Sequence, residues 1–293
     1  MIYDATQSRY RTICTTTQFD YNERTFARRD SAMPLEVIIH QPLHRTHETP
    51  LLFVHGAWHG AWCWEEHFLP YFTKLGYECH ALSLRGHGHS PLTGWLPGAS
   101  IKDYVADVTE VASRMQPAPA LIAHAMGGFV VQKVLEDHAA PAGVLLASIP
   151  PGGAFTPTIR FLSHDLGAFL RGLGNLSTFH TIESREHAQW AFFSDDMPED
   201  QVRQYFRKMS AEPDGSGLDM LLFTRVRPKR VKTPLLVLGA SRDAIIPPHL
   251  VEQTARAYGV QPEYFDMAHD MMLEAGWEQV AGRLAAWLAE RGV

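Results

Sequence analysis

Three short stretches carry residue types that perform acyl chemistry when a fold brings them together. The first, Ala123-His124-Ala125-Met126-Gly127-Gly128, stands between an apolar run, Leu121-Ile122, and a helix-like run from Phe129 to His138. A strand that turns sharply into a helix at such a place has the outline G-x-S-x-G, the turn that lifts a nucleophilic hydroxyl above a sheet. Small residues flank the apex because the strained turn admits no large side chain. Ala123 in place of the first glycine is a mild change. Ala125 in place of the serine is decisive, because a methyl group cannot attack a carbonyl. A plain strand-to-helix turn also fits these six residues, so the motif stands or falls with its context.

The second and third stretches supply that context. Leu238-Gly239-Ala240-Ser241-Arg242-Asp243 puts an acid just past a late apolar run, and Ala268-His269-Asp270 follows the last strand-like segment. Apex, acid and histidine thus occur in the chain order expected of a nucleophile elbow and its partners. In these roles His269 takes the nucleophile's proton, and Asp243 fixes the imidazole tautomer and stabilises the imidazolium. The bland alternatives are a loop histidine, one of 16 in the chain, and a solvated aspartate with Arg242 beside it. Two positions matching at once favour the functional pair. Asp266 and Asp270 flank the histidine and are weaker candidates for the acid.

His55-Gly56-Ala57-Trp58 follows the apolar run Leu51 to Val54. Backbone N–H groups of Ala57 and Met126 are the candidate donors to a developing oxyanion. They act through the main chain, so the alanine at 125 leaves them untouched. Candidate substrate-binding side chains are Trp58, His124, Phe155, Phe161, Trp190 and Met272, with ordinary packing as the competing reading for the aromatic ones. Ser148, Ser241 and Cys63 offer nucleophilic atoms, but none occupies the apex. His87-Gly88-His89 suggests a metal pair, yet no further ligands cluster nearby in the sequence. No metal and no cofactor are expected.

These residues need a scaffold. Leu35–His40, Leu51–Val54, Tyr77–Leu84, Ala120–His124, Gly143–Ile149, Leu235–Leu238 and Pro262–Phe265 read as strands. They alternate with helical spacing over Trp62–Leu75, Ile101–Met115, Met126–His138, Pro248–Tyr258 and Trp277–Glu290. Continuous apolar strands between helices predict an α/β fold with a mostly parallel central sheet covered by helices on both faces. From Pro150 to about Lys232 no strand is legible, and Thr158–Leu170, Ser184–Phe193 and Pro198–Met209 look helical. A structureless loop of that length is improbable inside a compact domain. The expected organisation is an N-terminal extension over 1–30, a core formed by 31–150 and 233–293, and a helical cap over 151–232.

The motifs HGAWHGAW (55–62), RGHGHS (85–90), AHAMGG (123–128), GASRDAIIPP (239–248) and AHDMML (268–273) together resemble the α/β-hydrolase superfamily over nearly the whole chain beyond the first 30 residues. The HGAWHGAWCW stretch further resembles the plant methylesterase and hydroxynitrile lyase branch and many bacterial esterases. The resemblance implies a Ser–His–Asp machine acting mostly on carboxylic esters. The decisive departure from the pattern lies at the nucleophile, and the resemblance assigns RGHGHS a loop-shaping role.

Bulk properties agree with this reading. The chain has 293 residues, 45% of them apolar, enough for one large α/β domain or two ordinary ones. A net charge of -6 argues against a nucleic-acid binder. Three widely spaced cysteines, Cys14, Cys63 and Cys79, imply no disulfide framework. With no apolar leader and no membrane-length apolar run, a cytoplasmic protein is expected, with a small-molecule ester as partner and room for a homodimer. The leading expectation is a serine esterase whose nucleophile is replaced, binding a small to medium, largely apolar ester without turning it over. The alternatives are a non-hydrolytic ligand-binding pseudoenzyme, and a lyase or cofactor-free oxygenase that uses His269 as base.

Overall fold

The computed structural model describes residues 35–92, 98–164, 182, 184–210, 212 and 214–293. The extension expected over 1–30 lies outside them, as does the end of the helix expected over Thr158–Leu170.

The strands are β1 (Val37–His40), β2 (Leu51–Val54), β3 (Cys79–Leu82), β4 (Ala120–His124), β5 (Gly143–Leu146), β6 (Leu235–Ala240) and β7 (Pro262–Phe265). They form one seven-stranded sheet in the order β1-β3-β2-β4-β5-β6-β7. Only β1 runs antiparallel to its neighbour. Every residue of β2 to β6 is buried, which is why these strands read as nearly continuous apolar runs, broken only by His80 and His124, rather than alternating ones. The edge strands β1 and β7 contain no fully buried residue.

The order reverses between β2 and β4. From β2 the chain moves outward to β3, whereas β4 pairs on the other side of β2, with Val54 opposite Ala123. The loops leaving the carboxyl ends of β2 and β4 therefore diverge and leave a crevice, the usual ligand site of an open α/β sheet. His55-Gly56-Ala57-Trp58 and the Ala125 turn are the residues at its two lips.

The first helical stretch is not continuous. It divides into α1 (Trp62–Glu65) and α2 (Phe68–Lys74). Pro70 explains the break: it lacks an N–H, and its ring would collide with the Glu66 carbonyl in a continuous helix, so the helix restarts just before it. His67 leaves the helical region at the junction and stacks on Trp277, with ring centroids 4.7 Å apart. The next helix, α3 (Ile101–Ser113), opens with a capping box in which Ser100 and Asp103 satisfy each other's backbone N–H.

Helix α4 (Ala125–Val134) begins directly at the turn after β4. Its two glycines are required by space. A Cβ on Gly127 would lie 2.3 Å from the His55 carbonyl oxygen, and one on Gly128 would lie 2.3 Å from the Ser148 hydroxyl. The first approach brings the loop after β2 against the start of α4.

Between β5 and β6 the described residues form helices and no strand: α5 (Phe155–His164), α6 (Arg185–Phe192), α7 (Glu199–Lys208), α8 (Asp214–Leu222) and a single 3₁₀ turn, Pro228–Arg230. Helix α8 has no sequence signal, because Gly215 and Gly217 are poor helix formers. Helices α9 (Pro248–Tyr258) and α10 (Trp277–Glu290) complete the chain. No helix among the described residues is long and apolar enough to cross a membrane.

Candidate active site

Ala125 has φ +47°, a left-handed conformation that costs a residue with a Cβ roughly 1–2 kcal/mol. Its side chain is buried, and its carbonyl accepts a hydrogen bond from the Ile149 N–H at 3.1 Å. Gly56 presses against it: a Cβ there would stand 3.0 Å from both the Ala125 methyl and His124 Nδ1. The turn thus keeps the strained geometry of an elbow while carrying no functional group at its apex.

His269 and Asp243 meet beyond the ends of the adjacent strands β7 and β6. His269 Nδ1 lies 2.7 Å from Asp243 Oδ2, and both side chains are buried. The other carboxylate oxygen, Oδ1, accepts the backbone N–H groups of Ile245 and Ile246, each at 2.8 Å. The acid is thereby oriented as a hydrogen-bond acceptor for the ring. Arg242, its neighbour in sequence, turns away and pairs with the exposed Asp266 at 3.0 Å, and the Ser241 hydroxyl donates to the same carboxylate. Of the three aspartates considered, Asp243 is the one bonded to the His269 ring.

The loop carrying His269 reaches back to the elbow. His124 Nε2–H donates to the His269 carbonyl at 3.0 Å, and the two rings lie 4.6 Å apart. Burial pushes the His124 imidazole down to about 3, with the neighbouring His269 adding to the effect, so His124 is neutral. With Nε2 as the donor, Nδ1 is a lone-pair acceptor, and it has no hydrogen-bond partner among the described residues.

A second buried pair lies alongside. His59 Nε2 donates to Asp270 Oδ2 at 2.8 Å, while His59 Nδ1 donates to the Ala57 carbonyl at 2.7 Å. Burial works against charge on both groups. Their mutual attraction outweighs it, raising the His59 pKa above its ordinary value and lowering that of Asp270. An acceptor at each ring nitrogen favours the doubly protonated imidazole facing the Asp270 carboxylate. This ion pair ties the loop after β2 to the loop after β7. It is invisible in sequence, since its members lie 211 residues apart.

His124, His269 and Asp270 offer ligand atoms all within 4.8 Å of one another, a spacing that a metal ion can draw together. One polar atom of each is engaged already: His269 Nδ1 with Asp243, His124 Nε2 with a carbonyl, and Asp270 Oδ2 with His59. His87 and His89 form no such set, because His87 is buried against Glu212 whereas the His89 side chain is 92% exposed.

The remaining candidates are distributed unevenly. Trp58 is buried at the lip of the crevice, with φ +62° and its ring 5.7 Å from Phe192. Phe192 in turn lies 6.0 Å from the His269 ring and 5.2 Å from His59, making it the aromatic residue that joins these groups. Met272 is fully buried in the main core. Trp190 stacks on His164 at 3.7 Å rather than on any ring of the His269 group. Phe155 is 63% exposed at the start of α5. Phe161 belongs to α5, and its side chain lies outside the described residues. Ala57 and Met126 lie at the two lips, after β2 and at the start of α4. The alternative nucleophiles are otherwise occupied. Ser148 donates to the Ile149 carbonyl, and Cys63 is fully buried with its thiol pushed well above its ordinary pKa by desolvation.

A sequence profile described as "Alpha/beta hydrolase family" matches residues 51–283. The chain belongs to that family. Among curated relatives, norfluorocurarine synthase 1 of Strychnos nux-vomica is 29% identical over 115 residues, 38% of this chain and 42% of the relative. "Probable esterase PIR7A" of Oryza sativa subsp. indica is 29% identical over 107 residues, 35% of this chain and 40% of the relative. The matches thus span about two fifths of these relatives. A thermophilic esterase from Thermogutta terrifontis superposes with a TM-score of 0.65 at 20% identity, covering 90% of this chain and 97% of the other. That likeness shows the fold. The profile match thus fixes the family, and esterases are among the proteins the chain resembles.

Proposed function

We propose that this chain is a carboxylic-ester hydrolase of the Ser–His–Asp type with alanine at the nucleophile position, so that it binds a largely apolar ester and does not turn it over. The observation that carries this reading is the φ of +47° at Ala125 beside a buried His269–Asp243 pair. Strain of this kind persists where the surroundings over-determine it, and it clusters at active sites. An elbow held in that conformation serves to present a hydroxyl, and here it presents a methyl.

In this reading Asp243 orients His269, His269 is the general base, and the N–H groups of Ala57 and Met126 stabilise the oxyanion. Helices α5 to α8 form a cap whose Phe192 contributes apolar surface over the crevice, against Trp58 and His269. Removing a triad member leaves about 10³–10⁴-fold acceleration over water from the oxyanion hole and binding, far below a working esterase. Ground-state binding rests mainly on the apolar walls and loses little with one hydroxyl. Titration calorimetry with an intact apolar ester, followed by product analysis over hours, tests this. Saturable binding without product is expected. Rapid turnover by the chain as it stands would instead place the attack on another group.

A second reading has one observation in its favour. With no hydroxyl at the apex, His269 faces a bound ligand as a base without a covalent partner, and one relative is named a synthase rather than an esterase. Proton abstraction followed by elimination, or by reaction with oxygen, then replaces hydrolysis. Turnover by the alanine form that His269→Ala abolishes, without acid and alcohol products, supports that reading.

A further inference from the structure

Glu212 lies between α7 and α8, in the helical segment inserted between β5 and β6. It is a buried carboxylate that accepts four hydrogen bonds. Oε2 takes the Trp58 backbone N–H at 3.1 Å and His87 Nε2–H at 2.8 Å. Oε1 takes the Tyr104 hydroxyl at 3.1 Å and the Ser216 hydroxyl at 2.7 Å. Three of the four donors belong to the core, from the loop after β2, the loop after β3 and helix α3. Burial alone would raise the Glu212 pKa. His87 and the hydroxyl and N–H donors outweigh it and hold the group below the usual carboxylate range. A buried carboxylate with this many donors is an ionised anchor, and losing it strands every donor in a dry site.

The anchor acts on a specific peptide unit. Trp58 has φ +62°, a conformation a bulky residue adopts only when held there. Its N–H goes to Glu212, and its carbonyl accepts the Ser210 N–H at 2.9 Å. Residues 210 and 212 thus bind both backbone groups of Trp58. On the far side, the Ala57 carbonyl is held by His59, itself tied to Asp270. The peptide joining Ala57 to Trp58 is therefore clamped at its C=O by the core and at its N–H by the inserted segment. Ala57, immediately before it, carries the proposed oxyanion donor.

We propose that Glu212 is a positioning residue for the oxyanion loop: by binding the Trp58 N–H it holds the Ala57 donor in place. The proposal rests on the hydrolase reading above.

The test uses Glu212→Gln, which keeps the size of the side chain but gives it an amide N–H where donors converge. Tyr104→Phe is the control, since it removes a donor from the same carboxylate without touching Trp58. In the chain as it stands, hydrogen exchange over residues 55–60 is measured for both variants. Exchange at least about 10-fold faster in Glu212→Gln, and unchanged in Tyr104→Phe, is expected from loss of the clamp. In an Ala125→Ser background, Glu212→Gln should lower kcat by about 10- to 100-fold with KM within about 3-fold. That is the pattern of a lost transition-state contact, at or below the cost of deleting one oxyanion donor outright. Unchanged exchange over 55–60, or a rise in KM with kcat intact, overturns the proposal and leaves Glu212 as a cap tether. If Ala125→Ser takes no phosphonate label, the hydrolase reading fails by itself. The exchange experiment still decides whether Glu212 holds the loop.

Discussion

Replacing His124 with glutamine should make the protein markedly less sensitive to acid. His124 is 1% exposed, and burial brings its pKa down to about 3 from an ordinary 6.5. The unfolded chain therefore takes up this proton first as pH falls. Stability is intact above about pH 6.5 and is lost through the window down to about 3, at about 1.4 kcal/mol per pH unit. The full cost is on the order of 5 kcal/mol, and about 2 kcal/mol of it is spent by about pH 5. Glutamine keeps an N–H donor for the His269 carbonyl, the bond His124 makes at 3.0 Å, and cannot be protonated. Urea unfolding of both proteins at about pH 7 and about pH 5 gives the two stability losses. The loss in the parent should exceed that in His124→Gln by about 2 kcal/mol. Equal losses would mean that the imidazole beside the elbow is hydrated or already charged, and the neutral assignment would fall.

Three further outcomes follow from the same geometry. Asp270→Asn should destabilise by about 3–5 kcal/mol near pH 6, where His59 is charged and its partner lost. Because the pKa of His59 is raised, its contribution is whole below about pH 6.5 and fades as pH rises through the folded value, so the penalty should shrink in alkali, as denaturant melts at two pH values will show. Ala125→Gly should raise stability by about 1 kcal/mol, since glycine adopts φ +47° without a Cβ penalty and loses part of that gain to unfolded-chain entropy; a lower melting temperature would mean the turn is not strained. In an Ala125→Ser background, His269→Ala and Asp243→Asn should each cut turnover by several orders of magnitude, and the double variant should be little worse than either; additive losses would show that the two do not act as a unit.

The five inner strands were legible because every residue in them is buried, which makes them almost wholly apolar. Ala125, Asp243 and His269 stood out because each follows a strand within a few residues, and the last two prove to be in hydrogen-bond contact. The divided first helix was legible in principle: Pro70 announces it, but the apolar spacing of Phe68, Leu69 and Phe72 masks the break. Helix α8 was not, since two glycines argue against it and only packing on α3 and α5 favours it. The polar clamps around the site were hidden for a different reason. His59 with Asp270, and Glu212 with Trp58 and His87, are pairings across more than 100 residues, and single-sequence spacing carries no trace of them. Phe192, which bridges Trp58 and His269, lies in Ser184–Phe193, a stretch whose spacing shows a helix and no site.

The central claim is that Ala125 stands where a catalytic hydroxyl belongs, and Ala125→Ser with an activated phosphonate tests it most directly. Stoichiometric phosphonylation at residue 125, dependent on His269, is expected, together with hydrolysis of activated short-chain esters that the alanine form lacks. A folded Ala125→Ser protein that takes no label at 125 and hydrolyses no ester would contradict it.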